Sequence, residues 1–356
     1  MPRSSILSAG RIRVAALALV AACAVAAAEG IATSGKRPTF DLQAHRGGLA
    51  LRPENTLPAF ANALRVGVST LELDAQITED GAAVVTHDRQ VTGVKCLDTA
   101  PATPGDSEFP YVGKYINTLT LAQVKTLDCG GRHPADVRTD PFLPTLVMRP
   151  GERMPTLRQV FDLVRRSGNR DVKLNIETKV EAGAPQETAP REQFVQVVAR
   201  EVRAARMLDR VTIQSFDWGA LMRMGEAEPR LPLVALVVPN FLQVGQPGAS
   251  PWLGGIDIDD FGGDPVAAVA SFGADAISPL HGDPQNGAVY WPDYRPFTTR
   301  DMVRRAHEAD LKVIPWTVDD RPTMEKLIDD GVDGIITDYP DRLRQVLADR
   351  GFRLPD

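Results

Sequence analysis

The chain has 356 residues, of which 43% are hydrophobic and 24% are charged, with a formal net charge of −6. This is an ordinary globular composition, and its acidic balance argues against nucleic acid as a partner, because nucleic-acid binders carry basic faces. After residue 28 no run of eighteen or more apolar residues occurs, so we expect no transmembrane segment there.

The first 28 residues have the layout of a secretory signal peptide. Arg3, Arg11 and Arg13 precede the apolar run VAALALVAACAVAAA, which is too short for a bilayer span and ends in small residues. The stretch LVAAC also resembles a bacterial lipoprotein box, which would leave Cys23 lipidated. Both alternatives predict a secreted or cell-surface protein. Removing residues 1–28 leaves 37 basic against 46 acidic residues, a net charge of −9.

The strand candidates alternate with helical patterns along the rest of the chain. The helical patterns cover 56–67, 156–168, 191–207, 299–311 and 321–331. Eight such strands predict a (β/α)₈ TIM barrel, here a single domain over residues 29–356. An open doubly wound sheet is the alternative, but no G-x-G-x-x-G follows the first strand. The eight strand candidates span 40–45, 70–77, 172–178, 211–216, 231–238, 274–280, 312–318 and 333–338.

Two stretches interrupt this alternation. Residues 89–150 are rich in Pro, Gly and Thr and predict an insertion after the second strand's hairpin, with one helix near 118–128. Residues 239–263 form a long Gly-rich loop after a strand, on the face where such barrels keep their sites.

The insertion contains Cys96 and Cys129, the cysteines that remain after residue 28. In an exported chain such a pair predicts a disulfide rather than two free thiols. It would close a loop of 33 positions, worth ~3–4 kcal/mol in the chain-entropy account.

The second strand continues into TEDGAAVVTHD, in which Asp80-Gly81 favours a two-residue hairpin turn. In that register paired positions sum to 161, and His87 lies opposite Asp74. Glu72 shares the face of Asp74, so the hairpin would gather three polar groups. The alternative for the two carboxylates is a solvated strand face.

Other strand ends also carry polar groups, which favours a catalytic mouth over isolated polar positions. His45-Arg46 ends the first strand, Glu177 and Lys179 lie in the third, Gln214 lies near the end of the fourth, and Trp316 lies in the seventh. Together with Glu72 and Asp74, Glu177 makes an oxygen-only set of three carboxylates, which suits one Ca²⁺ or Mg²⁺ ion. Two histidines for proton exchange and two cations for an anion predict phosphodiester hydrolysis.

The motifs HRG…PENT, LELD-x-x-x-T-x-DG-x-x-VV-x-HD, NIETK, IQSF and PWTV resemble the glycerophosphodiester phosphodiesterase family, in its secreted bacterial type. The match runs from about His45 to Asp338. The resemblance implies metal-dependent hydrolysis of small glycerophosphodiesters to sn-glycerol 3-phosphate and an alcohol. It makes His45 and His87 the acid–base pair.

The same resemblance implies the remaining roles. Glu72, Asp74 and Glu177 become metal ligands, and Arg46 and Lys179 contact the phosphate. Gln214 and Trp316 complete the substrate-binding set, with Trp316 packing on the glycerol side. Glu54 and Asn55 would support the turn that carries His45.

Three alternatives to this function stay open at the level of sequence. A phospholipase D or sphingomyelinase D-like enzyme would act on intact lipids and needs an exposed apolar loop, for which Phe241, Leu242, Trp252 and Leu253 are candidates; membrane-surface contact would follow. A non-catalytic phosphodiester-binding protein would not need both histidines. A glycosidase fits two histidines and Lys179 poorly.

Overall fold

The computed structural model describes residues 38–133, 142 and 144–356, so the predicted signal peptide and Cys23 lie outside the described residues. Each of the eight strand candidates contains a strand of the structure. The strands are β1 (Asp41–Ala44), β2 (Thr70–Ile77), β3 (Ala83–Val85), β4 (Lys173–Thr178), β5 (Val211–Ser215), β6 (Leu233–Val237), β7 (Ala276–Pro279), β8 (Gly282–Asp283), β9 (Arg295–Pro296), β10 (Lys312–Val313) and β11 (Gly334–Thr337).

Eight parallel strands form a nearly closed barrel, which confirms the predicted fold class. Their order is β10-β7-β6-β5-β4-β2-β1-β11, with β3 added to β2 in antiparallel orientation. The two ends of this order are joined by backbone hydrogen bonds. Val318 N donates to Ile336 O, and Ile336 N donates to Pro315 O, each at 3.0 Å. All eight carboxyl ends therefore open at one mouth.

Helices connect the strands and cover the barrel. Threonine or aspartate begins several of them, as where Thr56 accepts a hydrogen bond from Ala59 N and where Asp320 accepts one from Thr323 N. The helices are α1 (Leu57–Val66), α2 (Leu121–Val124), α3 (Leu157–Arg166), α4 (Arg191–Ala205), α5 (Trp218–Ala227), α6 (Pro239–Leu242), α7 (Pro265–Ser271), α8 (Arg300–Glu308), α9 (Arg321–Asp330) and α10 (Pro340–Asp349). Within the described residues, no helix combines the length and apolar character needed to cross a bilayer.

Strand β2 shows how the barrel separates its apolar and polar residues. Leu71 and Leu73 are fully buried in the main hydrophobic cluster, together with side chains from the surrounding helices. Glu72 and Asp74 alternate with them and therefore point to the opposite side of the strand, into the barrel. Both carboxylates are only 1% exposed, which excludes a solvated strand face.

The β2–β3 hairpin forms, but its register differs from the predicted one by one residue. Paired positions sum to 160 rather than 161, and the turn contains three residues, the last of them Gly81 at φ +77°. The predicted pairing of His87 with Asp74 is therefore wrong. Thr86 N donates to Asp74 O instead, because the third turn residue shifts the return arm by one position.

The segment after this hairpin packs against β3 in a small hydrophobic cluster that is separate from the main one. The predicted helix is the single turn α2, and the predicted disulfide between Cys96 and Cys129 is confirmed. The cluster consists of Val84, Val91, Cys96, Tyr111, Ile116, Leu119, Val124, Leu127, Cys129 and Met154.

The 239–263 loop packs against the barrel through its apolar side chains. It contains α6 and two short 3₁₀ turns, and its residues Leu242, Trp252 and Leu253 are buried. Phe241 stacks on Trp252 with ring centroids 4.0 Å apart. The apolar side chains that a membrane-docking loop would expose are thus used to pack the loop onto the barrel.

Candidate active site

The three predicted carboxylates lie together at the carboxyl ends of β2 and β4. Oxygens of Glu72, Asp74 and Glu177 lie within 4.8 Å of one another, since Asp74 and Glu177 are paired neighbours on parallel strands. Asp74 Oδ1 is buried and has no hydrogen-bond partner among the described residues. An oxygen-only set with an unsatisfied acceptor fits a hard divalent cation.

The electrostatics of this triad also fit a cation. Burial, followed by repulsion from Asp74 and Glu177, raises the pKa of Glu72 well above its ordinary value. Burial likewise raises the pKa of Glu177 to about 7, although Lys179 opposes this shift. Three buried carboxylates repel one another unless a positive charge lies between them. A divalent ion would offset that repulsion.

Neighbouring donors fix the orientation of the carboxylates. Gln214 Nε2 donates to Glu72 Oε1 at 2.7 Å, and the backbone N–H of Arg46 donates to Glu72 Oε2 at 2.8 Å. Asn55 Nδ2 donates to Asp74 Oδ2 at 2.8 Å. The two residues predicted from sequence to contact substrate or support a turn, Gln214 and Asn55, therefore touch the carboxylate set directly.

The glycine pair after His45-Arg46 has a steric reason. Arg46 adopts the left-handed region at φ +51°, and Gly47 follows at φ +82°. A Cβ on Gly47 would lie 2.8 Å from the Cβ of Ala59 on α1, so no larger residue fits. Asn55 N donates to Arg46 O at 2.9 Å and holds this turn in place. The turn directs His45 and Arg46 into the mouth of the barrel.

The two predicted phosphate-binding cations are already paired with carboxylates. Arg46 Nη1 donates to Glu54 Oε1 at 3.0 Å, and its Nε lies 3.3 Å from Asp74 Oδ2. Lys179 Nζ donates to Glu177 Oε1 at 2.7 Å and lies 3.8 Å from Asp74 Oδ1. Both cations thus adjoin the triad, where an anion bound to its metal would lie within their reach.

His45 contacts the carboxylate of Asp338, and Asp338 in turn contacts Asp319. Its Nδ1 lies 2.5 Å from Asp338 Oδ1, and Asp338 N donates to Asp319 Oδ1 at 2.9 Å. Burial, then the charge of Arg46, lowers the pKa of His45 to about 3. Burial raises the pKa of Asp338 to about 7, and burial with repulsion from Asp338 raises the pKa of Asp319 to about 8. The imidazole is neutral and its Nδ1 is occupied, which leaves Nε2 for a reacting oxygen.

His87 also contacts a carboxylate through Nδ1, but this carboxylate belongs to its neighbour in the sequence. Its Nδ1 lies 2.8 Å from Oδ1 of the next residue, Asp88. Burial, followed by the charges of Arg46 and Lys179, lowers the pKa of His87 to about 3. Both histidines therefore present a neutral ring whose Nδ1 contacts a carboxylate.

Most of these groups line one cavity of about 650 Å³, whereas Asp74, Glu54 and Asn55 do not line it. Trp316 lines one side, where its ring meets Phe216 edge-on at 5.4 Å between centroids and its Nε1 donates to Ser278 O at 2.9 Å. Phe241 extends this aromatic wall. The cavity brings together most of the predicted site residues, namely His45, Arg46, Glu72, His87, Glu177, Lys179, Gln214 and Trp316.

Several contributing residues escaped the sequence reasoning. Asp338 ends the predicted strand 333–338, so the rule that strand-end polar groups face the mouth would have found it. Asp88 is the second letter of the quoted HD motif. Asn175, which donates to Gln214 Oε1 at 2.8 Å, begins the NIETK motif and shares a strand face with Glu177. Asp319 carries no such signal, because its contact depends on the path of a loop.

Comparison with known proteins agrees with this geometry. Residues 45–342 match the glycerophosphoryl diester phosphodiesterase family. A glycerophosphodiester phosphodiesterase from Caldanaerobacter subterraneus is 28% identical over 308 residues, which cover 86% of this chain and 98% of the relative. A Bacillus subtilis glycerophosphodiester phosphodiesterase is 26% identical and covers 85% of each chain.

Solved structures show the same fold. A protein from Silicibacter pomeroyi DSS-3 matches with a TM-score of 0.71 at 29% identity, covering 89% of this chain and 96% of that one. An Oleispira antarctica phosphodiesterase, solved with its product sn-glycerol-3-phosphate, matches with a TM-score of 0.59 at 19% identity, covering 88% and 97%. The family match spans most of the chain, and the protein belongs to the glycerophosphoryl diester phosphodiesterase family.

Proposed function

We propose that this protein hydrolyses glycerophosphodiesters to sn-glycerol 3-phosphate and an alcohol. The observation that carries the proposal is a buried set of three carboxylates beside the imidazoles of His45 and His87, which line one cavity. The relatives named glycerophosphodiester phosphodiesterase support the substrate class. The product bound to the Oleispira protein is the product we expect here.

The proposed cofactor is one divalent cation, Ca²⁺ or Mg²⁺, held by Glu72, Asp74 and Glu177. Such an ion stabilises negative charge on phosphoryl oxygens when it is bound. The oxygen-only donor set favours these hard cations over zinc, which prefers nitrogen and sulfur ligands. Chelation should abolish activity and Ca²⁺ or Mg²⁺ should restore it. Restoration by Zn²⁺ alone would contradict the assignment.

His45 and His87 are the proposed acid–base pair. Displacement at phosphorus needs a base for the attacking oxygen and an acid for the leaving alkoxide. With Nδ1 of each ring on a carboxylate, Nε2 is the atom that exchanges the proton. The base is a neutral ring that accepts a proton on Nε2, whereas the acid must carry a proton on Nε2 before it can donate that proton to the leaving alkoxide. The attacking oxygen is water or the glycerol 2-hydroxyl; the second case gives a cyclic phosphate first.

The remaining residues of the cavity bind and orient. Arg46 and Lys179 supply donors to the phosphate, Arg as a fork and Lys as a point charge. Gln214 keeps Glu72 in place through its amide. Trp316 supplies an apolar face for the glycerol carbons.

The test is product identification on defined substrates. Purified protein is incubated with glycerophosphocholine, glycerophosphoethanolamine and intact phospholipids, with and without chelator. We expect sn-glycerol 3-phosphate from the first two, only with metal present. Cleavage of intact lipids alone would favour the phospholipase D or sphingomyelinase D-like alternative. Binding without product from any of them would favour a phosphodiester-binding protein.

The proposal includes export, as a secreted bacterial member of the family. Export would use the signal in residues 1–28, with either cleavage near Ala28 or lipidation of Cys23, and lipidation would bring membrane-surface contact. The Cys96–Cys129 disulfide supports export, because disulfides persist in oxidising compartments. The mass of the mature N-terminal peptide from the native host distinguishes the two routes. An intact Met1 on the accumulated protein would contradict both.

A further inference from the structure

Lys95 joins two parts of the active site that come from different segments of the chain. Its Nζ lies 2.8 Å from Asp88 Oδ1 and 2.9 Å from Glu54 Oε1. Asp88 lies at the end of the hairpin, whereas Glu54 belongs to the loop between β1 and α1. The ammonium group is partly buried, with its side chain 23% exposed.

Each of these two carboxylates contacts a proposed active-site residue. Asp88 Oδ1 contacts His87 Nδ1 at 2.8 Å, and Glu54 Oε1 accepts from Arg46 Nη1 at 3.0 Å. The charges alternate along the path from Arg46 through Glu54, Lys95 and Asp88 to His87. Without the central cation, two carboxylates would face each other across a partly buried gap and repel. Lys95 is therefore placed to fix the distance between Glu54 and Asp88, and with it the separation of Arg46 and His87.

The disulfide adjoins this lysine. Cys96 follows it in the chain, is buried, and is covalently bonded to Cys129. Lys95 N donates to Thr92 O, and Thr92 Oγ1 donates back to Asp88 Oδ2 at 3.2 Å. The short segment that carries Lys95 is thus restrained at one end by the disulfide and at the other by the hydrogen bond from Thr92 to Asp88.

We propose that Lys95 is a positioning residue for His87 and Arg46, and that the Cys96–Cys129 disulfide supports turnover by holding Lys95 in place. This inference rests on the proposed hydrolysis of glycerophosphodiesters. The disulfide then has a role in catalysis besides its effect on the unfolded chain.

The first test removes the cation. Lys95→Met keeps the length of the side chain, and it should lower kcat on glycerophosphocholine on the order of 10-fold or more and raise KM, because a removed supporting contact costs about 10–100-fold. Lys95→Arg should restore most of kcat, since a guanidinium also bridges two carboxylates. A matched control is Lys114→Met in the same insertion, which removes the pair with Glu108 and should leave both constants unchanged.

The second test asks whether the disulfide acts through Lys95. The double substitution Cys96→Ser with Cys129→Ser is made in the wild-type and Lys95→Met backgrounds, and kcat is measured in all four proteins. In the wild-type background it should lower kcat on the order of fivefold, and in the Lys95→Met background by much less, as expected for coupled positions. Equal effects in the two backgrounds would overturn the coupling.

Dithiothreitol gives the same comparison if the serine variant folds poorly. It transfers two hydrogens to the two sulfurs and becomes a cyclic disulfide, and kcat should fall while the circular dichroism of the barrel persists. Wild-type kcat and KM in both Lys95→Met and the reduced protein would overturn the inference. That outcome leaves the proposed function intact, whereas an inactive oxidised wild-type protein would contradict the proposed function itself.

Discussion

The two active-site histidines have the same contact and are built by different regions of the molecule. His45 follows β1, and its carboxylate partner Asp338 follows β11, 293 positions away in sequence and next to β1 in the barrel. His87 contacts the adjacent residue Asp88, which forms an ion pair with Lys95. The barrel wall fixes one imidazole and a local, disulfide-bonded segment fixes the other.

The difference also appears in exposure. The His45 side chain is 15% exposed and Asp338 is 7% exposed, against 33% and 24% for His87 and Asp88. A pair set by strand register changes only when the barrel changes. A pair set by a local segment responds to changes in that segment alone. The comparison therefore predicts unequal responses to matched substitutions.

The largest effect should come from removing either ring. His45→Ala and His87→Ala should each lower kcat ~10²–10⁴-fold on glycerophosphocholine, the usual size of an acid or base contribution. A nitrophenyl phosphodiester has a good leaving group and needs no acid. It should restore activity to the variant that lost the acid, which we assign to His87, and not to His45→Ala. Equal impairment of both variants on both substrates would contradict this division.

A smaller effect should follow from replacing the carboxylate behind each ring. Asp338→Asn and Asp88→Asn should each lower kcat ~10–100-fold, with Asp338→Asn the more severe, because Asp338 is buried and Asp88 borders solvent. The measurement is kcat at saturating substrate, with the melting temperature of each variant as a control for folding. A larger fall in kcat for Asp88→Asn than for Asp338→Asn would mean that burial of the carboxylate does not determine the size of the effect.

The sequence predicted most of the site residues that lie on the barrel strands, but few of the residues that support them. Alternation around Leu71 and Leu73 was enough to place Glu72 and Asp74 on one face, because the side-chain period of a strand is two. The turn was one residue longer than expected, so the partner of Asp74 was wrong although His87 still reaches the cavity.

The missing part is the support of His45. Its contact with Asp338 requires the pairing of Ala44 with Thr337, the first strand against the last. Asp319 reaches the same place from the loop after β10. No local pattern in the sequence encodes such contacts, because they exist only once the barrel has closed.

The smallest expected effect is on the pH dependence of the free energy of unfolding, which should differ between the carboxylates near His45 and the carboxylate next to His87. Burial and repulsion from Asp338 raise the pKa of Asp319 to about 8, whereas a carboxyl in an unfolded chain titrates near ~4. Between these values the folded protein holds a proton that the unfolded chain has released, so the free energy of unfolding falls as the pH rises. Asp319→Asn in metal-free protein should flatten that fall.

Asp88 should behave in the opposite way and is the matched control. Burial acts against ionisation, but the His87 hydrogen bond and the Lys95 charge hold the pKa of Asp88 well below its ordinary value. Its stabilisation is present at neutral pH and is lost only as the pH falls below ~4. Asp88→Asn should therefore leave the slope between about pH 4 and 8 unchanged, where Asp319→Asn flattens it. Urea unfolding at several pH values measures both slopes, and parallel curves for wild type and Asp319→Asn would show that this carboxyl holds no extra proton in the folded barrel.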